Sequence, residues 1–167
     1  TKELTFSWKR CPSTVDKDRK YSVDEKNSRI ARKTGVWGNY STIIGNAPLP
    51  QNKVTSWSIK ILKSKDNEGD GICIGVAPFD INQNEDDSYN CGWYFHCFES
   101  ALYSGLPHNY NGEGYGPRKE YGGKYVHTGD SVGVVMDTTK SKGDLSFVVR
   151  GVSLGVAFEG IPLDKPL

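Results

Sequence analysis

The chain has 167 residues, of which 36% are hydrophobic and 25% charged, and its 21 Lys+Arg against 20 Asp+Glu leave a formal charge of +1. That length corresponds to a single domain and buries a core without a disulfide or metal staple. The balanced charge excludes the basic field of a duplex-binding domain, the aromatic content excludes a disordered chain, and no apolar run approaches the ~20 residues of a membrane helix. Nineteen glycines and nine tyrosines beside one methionine point to a turn-rich β protein. Thr1-Lys2-Glu3-Leu4 carries neither an initiating Met nor a signal-peptide pattern. The expectation is one domain over 1–167, cut or processed from a larger multidomain protein.

In chain order, Lys17, Arg19 and Lys20 alternate with Asp16 and Asp18, and Arg29, Arg32 and Lys33 stand among polar neighbours. Both groups read as solvated faces. Residues 33–52 show no alternation and form the first expected long loop. It contains Trp37, Asn39 and Tyr40, and Asn39-Tyr40-Ser41 is a glycosylation sequon only in form for a cytoplasmic protein. Trp57, Ile59 and Ile61 then alternate with Ser58, Lys60 and Leu62, which predicts a strand with one buried face. Asp66-Asn67-Glu68-Gly69 predicts a turn into a second strand, with Ile72, Ile74 and Val76 on its inner face. A second loop spans 78–91. Trp93, Phe95 and Cys97 alternate with Tyr94, His96 and Phe98, and a third loop spans 105–128. Three more strands follow, with inner sets Val132, Val134, Met136; Leu145, Phe147, Val149; and Val152, Leu154, Val156, Phe158. Lys140 to Asp144 closes one hairpin, and Arg150-Gly151 closes another with a two-residue turn. No window carries helical periodicity, so the fold class is an all-β sandwich of two antiparallel sheets. Trp57, Ile72, Ile74, Trp93, Phe95, Val134, Leu145, Phe147, Leu154 and Phe158 are its expected core.

Chemistry-bearing patterns are sparse. Cys11, Cys73, Cys91 and Cys97 include no C-x-x-C pair, so four reduced thiols are expected and no metal. Asp80 to Glu85 begins like a calcium loop, yet Glu85 stands where the turn needs glycine and Cys91 where a bidentate glutamate belongs. Gly112-Glu113-Gly114-Tyr115-Gly116 lacks the lysine and the helix of a phosphate cradle. His96 and Cys97 point to opposite faces of a strand, and His108 and His127 lie in loops without a motif. No catalytic residue and no cofactor follow from these patterns. Tyr89, Tyr103, Tyr110, Tyr115, Tyr121 and Tyr125 crowd the second half, where they either serve a binding surface or cap the sandwich edge.

The last three strands resemble the SPRY domain family. Gly129-Asp130-Ser131-Val132-Gly133-Val134-Val135-Met136-Asp137, Gly143-Asp144-Leu145-Ser146-Phe147 and Gly151-Val152-Ser153-Leu154-Gly155-Val156-Ala157-Phe158 match its GD-x-[IV]-G-V, G-x-L-S-F and NG-x-x-x-G-x-A-F strands in order. Trp57-Ser58-Ile59, Ile74-Gly75-Val76-Ala77, Gly92-Trp93-Tyr94-Phe95 and Tyr103-Ser104-Gly105 are similar to its earlier strands. On this reading Gly75, Gly133 and Gly155 allow close approach, and Asp130 and Asp137 bond the turns beside them. The resemblance implies a further final strand beyond a D-K-P-L-like segment, and the expectation is that it is absent after Leu167.

The resemblance implies a bent sandwich and a non-enzymatic module whose loops at one end bind a short linear peptide or a protein surface. No nucleic acid or membrane partner is implied. The expected rim draws on 34–41 and 79–89 with part of 105–124, and its candidate residues are Arg32, Trp37, Asn39, Tyr40, Asp80, Asn82, Asp86, Asp87 and Tyr89. An aromatic anchor beside acceptors suits a Lys, Arg or amide side chain. Two other readings stand beside it. A carbohydrate-binding sandwich uses aromatic loops similarly, and a hydrolase could place a carboxylate pair ~5–10 Å apart.

Overall fold

The computed structural model describes residues 2–3, 6–9, 21–33, 42–64, 71–81, 91–110 and 118–167. Eleven strands lie among them: β1 (Lys2–Glu3), β2 (Tyr21–Val23), β3 (Ala31–Lys33), β4 (Val54–Lys60), β5 (Cys73–Val76), β6 (Trp93–His96), β7 (Ala101–Tyr103), β8 (Arg118–Glu120), β9 (Ser131–Asp137), β10 (Gly143–Val149) and β11 (Val152–Ile161). The described residues contain no α-helix. One sheet has the order β1-β4-β9-β10-β11, a second has β5-β6-β7-β8, and β2-β3 forms a separate hairpin. Pairing is antiparallel except where β1 runs parallel to β4, a departure from the wholly antiparallel expectation.

Alternation builds the core. Val132, Val134 and Met136 of β9 are fully buried, as are Leu145 and Phe147 of β10. The four-stranded sheet answers with Ile74, Trp93, Phe95 and Leu102. Phe95 and Phe147 meet at 5.4 Å between ring centroids, and the Tyr121 ring is T-shaped to both, with centroids 6.0 and 6.1 Å away. Each such side chain removed from water contributes about 1.5–3 kcal/mol, so this cluster holds the two layers together. Of the ten expected core residues, eight are buried, whereas Ile72 and Leu154 are only half-buried.

Leu154 departs because β11 does not alternate throughout. Its pairing with β10 shifts register three times between Val149↔Val152 and Gly143↔Ile161. Val152 is 52% exposed and Val156 half-buried, while the neighbours Ala157 and Phe158 are both buried. The shifts are bulges, each inserting a residue and turning the following side chains to the other face. Gly155 supplies one with φ +83°, and a Cβ built there meets nothing within 4 Å. Its glycine is therefore conformational, which corrects the expectation of close approach. Gly75 is the opposite case: a Cβ there would run into the carbonyl of Trp93 on the paired strand.

The outer face of β6 is a second departure, because Tyr94 and His96 are also buried. The Tyr94 ring folds back over Gly92, and the His96 ring lies 5.7 Å from that of Tyr103. The short strands β2, β3, β7 and β8 were not separable by period from their loops, and β8 falls inside the expected loop 105–128.

Register sorts the connections into two ends. Val76 pairs with Trp93 and Tyr94 with Tyr103, so 77–81, 91–92 and 104–110 lie at one end while 97–100 turns at the other. Phe79 N–H donates to Pro166 O at 2.8 Å and Leu49 N–H to Leu167 O at 2.7 Å, bringing 42–53 and 162–167 to the first end. Cys97 N–H to Ile72 O, Val126 N–H to Cys97 O and Gly129 N–H to Ile61 O tie the opposite end. The Arg150–Gly151 turn closes there as expected, both residues having positive φ as a type I′ hairpin requires.

Candidate functional site

The first end is built by side chains that hold loops to strands. Thr138, just past β9, donates its hydroxyl to Lys53 O at 2.9 Å and accepts Lys53 N–H at 3.2 Å, which fixes the entry to β4. Asp137 accepts the backbone and hydroxyl of Thr139 at 2.9 and 2.6 Å. These bonds, that of the Thr139 hydroxyl foremost, hold its carboxyl below the usual range. Asp130 likewise accepts His127 N–H at 3.0 Å at the opposite end. Both aspartates thus act on adjoining turns, as the family resemblance implied.

A groove of about 200 Å³ opens at the loop end. Pro78, Trp93, Leu106, Pro107, Pro162 and Leu167 line it, so three separate connections contribute walls. Trp93 is 2% exposed and donates its indole N–H to Pro107 O at 3.3 Å, which fixes one wall on the core. Asp164 and Lys165 form the polar lip. Lys165 Nζ reaches 3.2 Å from Asp80 Oδ2, both side chains being largely exposed. An exposed pair of this kind contributes about 0–1 kcal/mol, and its effect here is to join the C-terminal segment to loop 77–92.

The flanks of the two expected rim loops meet beside this groove. Lys9 N–H donates to Ile44 O at 2.9 Å, and Lys9 Nζ stands 5.6 Å from the centroid of the Phe79 ring. Trp8 bridges Gly45 and donates its indole N–H to Arg29 O at 3.0 Å, so the β2–β3 turn joins the same group. That turn is shaped by Asp24, whose Oδ1 accepts Lys26 and Asn27 N–H at 3.0 Å.

Of the candidate rim residues, Arg32 and Asp80 are described. Arg32 is exposed and pairs with Asp24 at 3.6 Å, while Asp80 pairs with Lys165. Trp37, Asn39, Tyr40, Asn82, Asp86, Asp87 and Tyr89 lie outside the described residues, as do Cys11 and the Asp66 turn. Lys9, Leu106 and Lys165 were not singled out by sequence, since nothing local to each indicates the groove. The tyrosine cluster divides. Tyr110 and Tyr121 are core, and Tyr125 is exposed.

Tyr94 sits at the root of loop 77–92. Its hydroxyl is buried without a hydrogen-bond partner among the described residues, and burial, then Cys91 and Cys73, push its ionisation far above the ordinary phenol range. The group is a neutral phenol at physiological pH. Among the described residues no three His, Cys, Asp or Glu side chains gather as a metal site, and no helix is long and apolar enough to cross a membrane.

Comparison with known proteins agrees with this architecture. The SPRY domain model matches residues 54–167, from β4 through β11 and into the segment that closes the groove. No curated protein is similar to the chain at a significant level. SPRY domains are generally non-enzymatic protein-interaction modules. With more than half of its length matched, and with the matched strands supplying both faces of the core, the chain belongs to the SPRY domain family.

Proposed function

We propose that this chain binds a short linear peptide, or a loop of a folded protein, at the end where 42–53, 77–81, 104–110 and 162–167 meet. The observation that carries this reading is the apolar groove walled by three connections, with the Asp80–Lys165 pair at its lip. An apolar side chain of the ligand occupies the groove, and polar groups beside it meet the lip. Trp37, Asn39, Tyr40, Asn82, Asp86, Asp87, Tyr89 and Arg32 extend the contact surface. Four cysteines without a C-x-x-C pair support a reducing, cytoplasmic setting.

The test is a display selection from a random peptide library on the immobilised chain, with a glycan array on the same preparation. A selected peptide should lose about 2 kcal/mol or more of binding, a typical hot-spot value, with at least one of Trp37→Ala, Tyr89→Ala and Leu106→Asp, each verified as folded by circular dichroism. Peptides insensitive to all three changes refute the loop-end site. Glycan binding without peptide binding favours the carbohydrate reading.

A further inference from the structure

The opposite end carries a second concavity, of about 540 Å³, at the corner of the four-stranded sheet. Phe98, Glu99, Arg118, Glu120, Tyr125 and His127 line it. Among the described residues four large apolar side chains stand exposed, and two of them, Phe98 at 39% and Tyr125 at 54%, are in this one depression. Exposed aromatics gathered in a concavity mark interaction surfaces more than scattered ones do.

These aromatics stand on a fixed backbone. Ser100, only 2% exposed, donates its hydroxyl to Tyr121 O at 2.8 Å and accepts Lys124 N–H at 2.7 Å. Tyr121 N–H returns to Ser100 O at 2.9 Å, and Val126, fully buried, donates to Cys97 O at 3.1 Å. Ser100 adopts φ +50°, a conformation that costs a non-glycine residue energy unless its surroundings impose it. The Phe98 turn and the Tyr125 loop are thereby locked to each other.

Arg118 organises the charges. Its Nε donates to Tyr103 Oη at 2.9 Å and lies 3.4 Å from Glu99 Oε2, while its terminal nitrogen reaches Glu120 Oε1 at 2.6 Å. Tyr103 in turn donates its hydroxyl to Glu99. The Tyr103 bond is the foremost of the contacts that hold the Glu99 carboxyl below the ordinary range. The guanidinium therefore has three partners among the described residues and serves as a template aligning two carboxylates. Two carboxylates against one guanidinium leave a surplus negative charge, and Glu120 keeps 73% of its side chain open to solvent.

We infer that this corner is a second docking site, separate from the loop end, that takes an arginine or lysine side chain of a protein partner between Tyr125, Phe98 and the Glu120 carboxylate. A cation there meets aromatic faces and a carboxylate together, which is the combination that favours it most. A phosphorylated or acidic segment would have to displace Glu99 and Glu120 from Arg118 first.

Capped hexapeptides carrying a central arginine, citrulline or phosphoserine, titrated into the isotopically labelled chain and followed by NMR, test this. The arginine peptide should shift the amides of Phe98, Glu99, Glu120 and Tyr125, bind at least tenfold more tightly than the citrulline peptide, and weaken as salt rises. Glu120→Gln and Tyr125→Ala should each reduce its affinity at least threefold, with the dispersed spectrum of a folded chain retained. Lys165→Glu, at the loop end, should leave it unchanged, so failure of either site is distinguishable from failure of the other. Equal binding of arginine and citrulline, shifts confined to the loop end, no shifts at all, or preferential binding of the phosphoserine peptide would each overturn the assignment.

Discussion

Tyr121 shows how one side chain serves both layers. Its ring packs against Phe95 and Phe147, and its hydroxyl donates to Gly155 O at 2.6 Å, reaching the bulge of β11. Burial foremost, opposed by a hydrogen bond from the Phe147 backbone, pushes its ionisation up to about 12. A phenol whose folded value is raised above its unfolded one stabilises the fold fully below the unfolded value, near pH 10. That contribution is lost as pH rises from about 10 through about 12. Tyr121→Phe should lower stability at neutral pH by about 1 kcal/mol, the net worth of one hydrogen bond, and flatten the alkaline decline. Urea titrations of both proteins between neutral pH and pH ~12 measure this. Parallel alkaline curves would show that another group controls the decline.

At the scale of the element, β11 carries most of the structural consequence. It pairs in plain register with β10 beside the Arg150–Gly151 turn, then shifts at its bulges so that its later residues reach the core. Gly155 makes that change possible, and its open surroundings mean that only the backbone opposes substitution. Gly155→Ala should therefore cost roughly 1–2 kcal/mol, the penalty of left-handed backbone for a residue with a Cβ. Gly75→Ala should cost more, because its Cβ meets a carbonyl of the adjacent strand, which cannot rotate away. Chemical denaturation of the two variants ranks these effects. The reverse order would mean that β5 and β6 separate more readily than their pairing indicates.

For the molecule as a whole, the core cluster spans both sheets while exposed chemistry divides between the two ends. The thiols report on this organisation. Cys97 is fully buried, and burial drives its thiol far above the ordinary range, whereas Cys73 and Cys91 are half-buried. Native-state alkylation at pH ~8 should modify Cys97 last, and only as fast as the fold opens, because the thiolate is the reacting form. Mass spectrometry at successive times checks the order. Reductant should leave Tm unchanged, whereas a fall of several degrees would reveal a disulfide.

The sequence by itself determined the long strands, most of their inward sets from Trp57 to Phe147 (Ile59 and Ile72 are half-buried), the tight Arg150–Gly151 turn and the family. Each depends on local chemistry, namely a period of two or the φ preference of a turn, repeated over enough residues to be distinctive. Strands of three residues such as β7 and β8 carry too little period to separate from a loop. The exposed Val152 and the buried Tyr94 were beyond the pattern for another reason. A bulge changes the face without changing the residue types, and the outer side of a sheet is buried only if something folds over it. Only the tertiary structure decided which connections share an end. Lys165 meets Asp80 across 85 positions, and Arg118 meets Tyr103 and Glu99 from a different strand and turn. Such groupings depend on strand order and register, which hydrogen bonding between distant segments sets and which no local spacing encodes.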